Sequence, residues 1–181
     1  MFVLRLVFLP ISIIIVFGAF AAANSADGAA PVEVRVDTPS GYPVPRFVSL
    51  KTSETYCRSG PSFSHPVRLT YKRRGLPVLV VAETSDHWRK IRDAESDECW
   101  IHRSKLSGAQ TVLVRSERLP LRARPNYAAP AKAHLGGGVI ARVSKVQDGW
   151  FFVTAKGAKG WAPERALWGA EISTLFSAAQ N

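Results

Sequence analysis

An internal repeat constrains this chain more than any other feature. Cys57-Arg58-Ser59-Gly60-Pro61-Ser62-Phe63 returns in degenerate form as Leu121-Arg122-Ala123-Arg124-Pro125-Asn126-Tyr127. Trp88-Arg89-Lys90-Ile91 returns as Trp150-Phe151-Phe152-Val153. Cys99-Trp100-Ile101-His102 returns as Gly160-Trp161-Ala162-Pro163, and Leu106 as Leu167. The offset shrinks from 64 residues at the start to 61 at the end, so order and spacing hold with only small loop deletions. A long-period echo of this kind means two copies of one small module, not one domain spread over 181 residues. Units of about 60 residues bury only about 60% of their unfolded surface, so each needs a staple or a neighbour.

The apolar residues after position 46 come in short, β-rich bursts separated by turn residues. The first module offers strands over 47–50, 55–58, 76–83, 88–92 and 99–102; the second over 111–114, 119–122, 139–146, 150–155 and 160–162. Gly75, Ser85-Asp86, Asp148-Gly149 and the run Lys156 to Gly160 mark the gaps. The pattern predicts an all-β fold of two small five-stranded barrels. One short helix is expected over Trp168–Phe176. Gly136-Gly137-Gly138 precedes an apolar strand pattern, not a helix, so it reads as a turn instead of a phosphate cradle.

The N-terminus reads as a secretory signal peptide. Met1–Arg5 carries one positive charge, the run to Phe20 is apolar apart from Ser12 and a break at Pro10, and Ala21-Ala22-Ala23 supplies small residues for cleavage. Residues 24–44 hold Pro31, Pro39 and Pro43 among small residues and are expected to form a flexible leader, with Val44–Leu50 as an extended lead-in. The expected divisions are therefore 1–23 signal peptide, 24–44 leader, 45–108 and 109–169 modules, and 170–181 tail. Formal net charge is +10, and Arg5 is the only charge within the first 23 residues. That balance favours an anionic partner, while export argues against nucleic acid. The membrane would be a partner only if the apolar leader stayed uncleaved.

The motifs together resemble a tandem pair of bacterial SH3-like (SH3b) domains of the exported alphaproteobacterial type. The matching elements are a strand ending in Arg with a following Gly-Pro-Ser, the strand opened by Gly75-Leu76-Pro77-Val78, the Trp-x-x-aliphatic strand, and the Gly-Trp-aliphatic strand with a leucine shortly after. Pro45-Arg46-Phe47-Val48-Ser49-Leu50-Lys51 adds a matching lead-in, and the resemblance covers residues 45 to 168. It implies partly open barrels that bind or scaffold, commonly at the cell wall. Departures occur at Cys57, at Cys99 in place of the glycine of Gly-Trp, and at Arg124, which replaces a loop glycine and puts a ligand site on that loop in question.

Alternation of side chains along a strand turns Cys57 inward beside solvent-facing Arg58, and Cys99 inward with Ile101. Both thiols then enter one core, from strands that the resemblance places close together. Two cysteines in one undersized exported module point to a disulfide. Two reduced, buried thiols and a catalytic cysteine remain as alternatives.

The same alternation puts Trp88, Trp100, Trp150 and Trp161 on outer faces, near loops carrying Phe63 and Tyr127. These six are the candidate ligand-binding residues, with the tryptophans alternatively closing the barrel ends. The four histidines show no metal-ligand spacing. The acidic run Asp93–Glu98 reads as a solvated hairpin loop, and no paired carboxylates, triad or cofactor fingerprint are present. The expectation is an exported or periplasmic, non-enzymatic binding protein without cofactor or metal. Its expected ligand is peptidoglycan or the peptide stem. An envelope protein partner is the alternative, and a cysteine-dependent hydrolase a third reading.

Overall fold

The computed structural model describes residues 33–170, which fall in the compact unit Val32–Asn181. The expected signal segment, residues 24–32 of the leader and the tail from 171 lie outside the described residues. No helix among the described residues is long and apolar enough to cross a membrane.

The first sheet contains β1 (Arg46–Leu50), β2 (Thr55–Arg58), β3 (Val67–Tyr71), β4 (Pro77–Glu83), β5 (Trp88–Arg92), β6 (Glu98–His102) and β7 (Leu106–Ser107), in the order β3-β2-β6-β5-β4-β1-β7. The second contains β8 (Thr111–Val114), β9 (Arg118–Arg122), β10 (Ala131–Gly136), β11 (Ile140–Gln147), β12 (Trp150–Ala155), β13 (Ala158–Pro163) and β14 (Leu167–Trp168), in the order β10-β9-β13-β12-β11-β8-β14. The two orders match strand for strand, which is the internal symmetry the repeat demands. A one-turn 3-10 helix precedes β7 (Arg103–Lys105) and β14 (Glu164–Ala166) alike.

Seven strands per sheet replace the five expected. β3 and β10 are edge strands with most side chains exposed, and their apolar alternation, Val67-Leu69-Tyr71 and Ala131-Ala133-Leu135, is short and partly built of alanine, yet Leu69, Tyr71, Ala133 and Leu135 pack on the cores. β7 and β14 are two residues long, too short for any period to show. The ladders of β4 and β11 each shift register midway, between Val80 and Ala82 and between Val143 and Lys145. Such a bulge bends the long strand so that one sheet can curl over its own core. The Gly137-Gly138 pair forms a turn, as expected. Trp168 lies in β14 instead of opening a helix; only Gly169 and Ala170 of the rest of that expected helix are described, and neither is helical.

Each barrel has its own core. Leu50, Cys57, Val78, Val80, Ile91, Cys99 and Ile101 fill the first; Val112, Val114, Leu121, Phe151, Val153 and Leu167 belong to the second. The cores touch, because Leu113 joins the first cluster and Ile140 and Trp168 pack against it. Phe47 meets Trp168 edge to face at 5.1 Å. Thr111 Oγ1 donates to the Gly75 carbonyl at 2.7 Å, and Arg73 donates to the Gly138 carbonyl. Lys72-Arg73-Arg74 thus leads into a turn that faces the other barrel. Modules this small gain from such mutual packing.

The cysteine pairing is present. Cys57 and Cys99 are both buried and form a disulfide with a Cα–Cα distance of 5.6 Å, an ordinary span for this bond.

Residues 33–44, expected to belong to a flexible leader, instead lie on the first barrel. Arg35 and Val44 exchange backbone hydrogen bonds at 2.7 and 2.9 Å, and Val44 is 2% exposed. Val44 packs into the first core, Arg35 donates to the Val81 carbonyl at 3.3 Å, and a buried ionic cluster adds a further tie. Glu83, its side chain 1% exposed, receives Arg46 at 2.5 Å, Arg89 at 2.9 Å and the Ser40 N–H at 3.1 Å. Burial alone would raise the Glu83 carboxyl, but the bonds from Ser40 and Arg46 and the two positive charges hold it below its ordinary value.

Asp93 is also buried, contrary to the reading of its loop as wholly solvated. It accepts from the Glu95 and Asp97 N–H groups at 3.1 and 2.9 Å and from the Tyr71 hydroxyl at 2.9 Å. Burial, then the Asp93 bond and charge, pushes the Tyr71 hydroxyl well above its usual range.

Candidate ligand grooves

One face of each barrel carries a groove at matching positions. In the first, β2 supplies Tyr56 and Arg58, the loop after it Phe63, β5 Trp88, β6 His102, and the 3-10 turn Lys105, around a volume of about 360 Å³. In the second, β9 supplies Pro120 and Arg122, the loop Tyr127, β13 Pro163, and the turn Arg165, around about 430 Å³.

An arginine at the end of β2 and β9 builds each groove wall. Arg58 Nη1 donates to the His65 carbonyl at 2.6 Å, and Arg122 Nη1 to the Ala129 carbonyl at 2.6 Å. The intervening loops share their backbone bonds: Ser59 N–H to Pro66 at 3.1 Å against Ala123 N–H to Pro130 at 3.0 Å, and Ser62 to Gly60 at 3.0 Å against Asn126 to Arg124 at 2.8 Å. A charge-assisted bond to a carbonyl is stronger than a neutral one, so the guanidinium fixes the loop. It also faces the loop's aromatic ring, at 5.8 Å from Phe63 and 6.0 Å from Tyr127.

The glycine lost from the second loop does not unmake it. At Gly60 a side chain would meet the His65 ring, since a Cβ there would lie 2.4 Å from Nε2. Ala129 stands at the His65 position of the second loop, and Arg124 then has room in place of glycine. Gly-and-His has been exchanged for Arg-and-Ala.

The structure corrects the expected exposure of two tryptophans. Trp88 and Trp150 are on the outer side, as alternation requires, yet they are 4% and 7% exposed. Loop aromatics cover them: Phe63 packs on Trp88 with ring centroids 4.9 Å apart, and Tyr127 on Trp150 at 4.7 Å. His102 closes the other side of Trp88 at 5.5 Å. Both tryptophans are therefore the floor beneath the exposed rings, Phe63 at 69% and Tyr127 at 53%. Trp100 and Trp161 are half-buried on the neighbouring strands β6 and β13 and do not line the grooves. Trp100 sits opposite Arg58 and Lys90, and Trp161 opposite Arg122 and Phe152. Of the six candidates, the structure gathers Phe63 with Trp88 and Tyr127 with Trp150, and leaves Trp100 and Trp161 beside the grooves.

The pinning arginines and His102 were not foreseen as site residues. Recurrence of arginine at 58 and 122 was visible in the repeat; its reach to a carbonyl seven residues on was not. The Ser104 N–H points at His102 Nδ1 at 3.4 Å and the Ser104 hydroxyl lies at 2.9 Å. That pattern assigns Nδ1 as acceptor and leaves the neutral ring's proton on Nε2. Burial, then the positive neighbours His87, Arg103 and Arg89, lowers the His102 pKa. The lowered pKa favours the neutral ring of His102, which can act as a hydrogen-bonding group without adding charge. No group of three or more potential metal ligands exists among the described residues.

Two structures of NlpC proteins from Trichomonas vaginalis, NlpC2 and NlpC1, share 14% and 13% identity with this chain, over 69% and 68% of it, with TM-scores of 0.32 and 0.30. The chain spans less than half of either, 48% and 45%. No curated protein sequence matches it. The family model for the bacterial SH3 domain matches twice in tandem, at residues 51–108 and 115–169, one match on each sheet, and by that double match the chain belongs to the bacterial SH3 domain family.

Proposed function

We propose that this protein is an exported, non-enzymatic binding protein that holds a cell-wall ligand, peptidoglycan or its peptide stem, in its two aromatic grooves. Membership of the bacterial SH3 domain family suggests cell-wall binding in general terms. The observation that carries the finer reading is the twofold recurrence of an exposed ring, seated on a buried tryptophan and pinned by an arginine. Rigid rings bury much area at little entropic cost, which suits an extended peptide or a sugar face. The Cys57–Cys99 disulfide favours an oxidising compartment such as the periplasm. Because both cysteines are bridged and buried, neither offers a thiolate, and this weighs against a cysteine hydrolase.

Retention on purified sacculi tests the reading. The protein should sediment with them, and Phe63→Ala with Tyr127→Ala should reduce retention at least about tenfold, the cost of losing an exposed aromatic anchor. Both residues are exposed, so the double variant should keep its fold. An unretained wild-type protein that instead captures an envelope protein would replace the wall ligand with a protein partner.

A further inference from the structure

We propose that the second groove is a carboxylate-binding site, a task for which the first groove is not built. The proposal rests on the reading of a wall-peptide ligand for its biological source, since a peptide stem ends in a free carboxylate. Tyr127 has two guanidiniums against it: Arg165 at 4.9 Å from the ring centroid and Arg122 at 6.0 Å. Among the described residues, none of those lining this groove is a carboxylate. In the first groove Ser104 stands where the second has Arg165, and Glu54 enters the lining. The first groove therefore pairs one pinning arginine and one lysine with an acid, while the second presents two arginines and, among the described residues, no acid in its lining.

The flanks sharpen the contrast. Pro120 and Pro163 replace Tyr56 and His102, so contact with a ligand's oxygens falls to the two arginines, Ser116 and the Tyr127 hydroxyl. Arg122 spends one nitrogen on the Ala129 carbonyl and keeps the rest of its planar fork, while Arg165 is exposed. Two forks beside one ring suit a planar, delocalised anion better than a point charge would. The neighbouring Tyr127 ring would pack against the apolar part of the residue bearing the carboxylate.

The test is a titration of the full chain, followed by backbone amide shifts, with N-acetyl-alanyl-alanine and with its C-terminal amide. The acid should move amides over Arg122–Tyr127 and Glu164–Arg165 and bind about tenfold more tightly than the amide, the worth of one charge-assisted bond. Arg165→Gln should erase that preference, and raising salt should weaken the acid alone. Equal binding of acid and amide, shifts confined to the first groove, or an acid preference that survives Arg165→Gln would overturn the proposal. Inorganic phosphate is the second arm: tighter binding of phosphate than of the acid at the same amides would move the source from a peptide end to a phosphate ester and defeat the carboxylate assignment. Sacculi play no part in these titrations. Absent acid binding with intact sacculus retention sinks only the carboxylate site, and acid binding without retention sinks only the wall reading.

Discussion

The two barrels share a strand order and reach it with different chemistry at the same positions. Where the first joins β2 to β6 through Cys57–Cys99, the second has Leu121 and Gly160. A side chain at Gly160 would lie 2.9 Å from Leu121 Cβ and 3.0 Å from the Arg122 carbonyl, so one leucine occupies the space of both sulfurs and glycine lets the strand close over it. Where the first barrel has the ionic cluster Glu83, Arg46 and Arg89 under residues 33–44, the second has Val146 and Phe151 on the corresponding strand pairs. The lesson is that the fold prescribes volume and parity at each point, and covalent, ionic or apolar contacts can satisfy either. It also shows that the first barrel depends on redox state and pH through a disulfide and a buried carboxylate that the second lacks at the matching positions.

That dependence can be broken in order of size. Replacing Cys57 and Cys99 by alanine, or reducing them, should cost about 4 kcal/mol by the loop-closure model. Denaturant melts should then separate, with hydrogen exchange rising over β2–β6 while β9–β13 stays protected; equal loss in both barrels would show that they unfold as one unit. Glu83→Gln should cost roughly 3 kcal/mol, because it takes the carboxylate away from the buried Arg89 and the partly buried Arg46. Limited proteolysis would read the release of residues 33–44, and continued protection would put the anchor elsewhere. Acid should do the same more gently. The Glu83 carboxyl is lowered in the folded state, so its contribution is present above its unfolded value of about 4.3 and lost as pH falls below it.

The loop exchange predicts a smaller, coupled effect. Gly60→Arg should destabilise while His65 is present, and His65→Ala should recover about 1–3 kcal/mol of it, measured as the interaction energy of a double-mutant cycle. Additive costs would mean the two positions never communicated. The least effect belongs to His102. Its folded pKa is lowered, so its contribution is whole above about pH 6.5 and declines as pH falls towards the folded value. A His102→Gln variant should flatten that part of the stability profile, and an unchanged slope would assign it to another group.

Much of this was legible in the residues. The repeat gave the number of units, and a period of two put Cys57 and Cys99 in one core and Trp88 on the outer side, each a local consequence of how a strand alternates. The aromatic loop positions 63 and 127 were also visible, because they recur at the offset of the loop's arginine. Burial of Trp88 was not, since parity says which way a side chain points and nothing about what later folds over it. The same holds for the docking of residues 33–44: their prolines and small residues predicted a tether, and burial of Val44 in the core with bonds to Val81 and Glu83 on a distant strand overrode the prediction.

From the sequence alone, then, came duplication, strand parity, the cysteine pair and the basic charge, all properties of neighbours in the chain or of composition. Which ring lies exposed and which is floor, which arginine pins a loop, and how arginine replaces glycine at position 124 were decided only by the tertiary structure. The physical reason is that each depends on steric and electrostatic partners many residues away, and a linear pattern holds no distances between them.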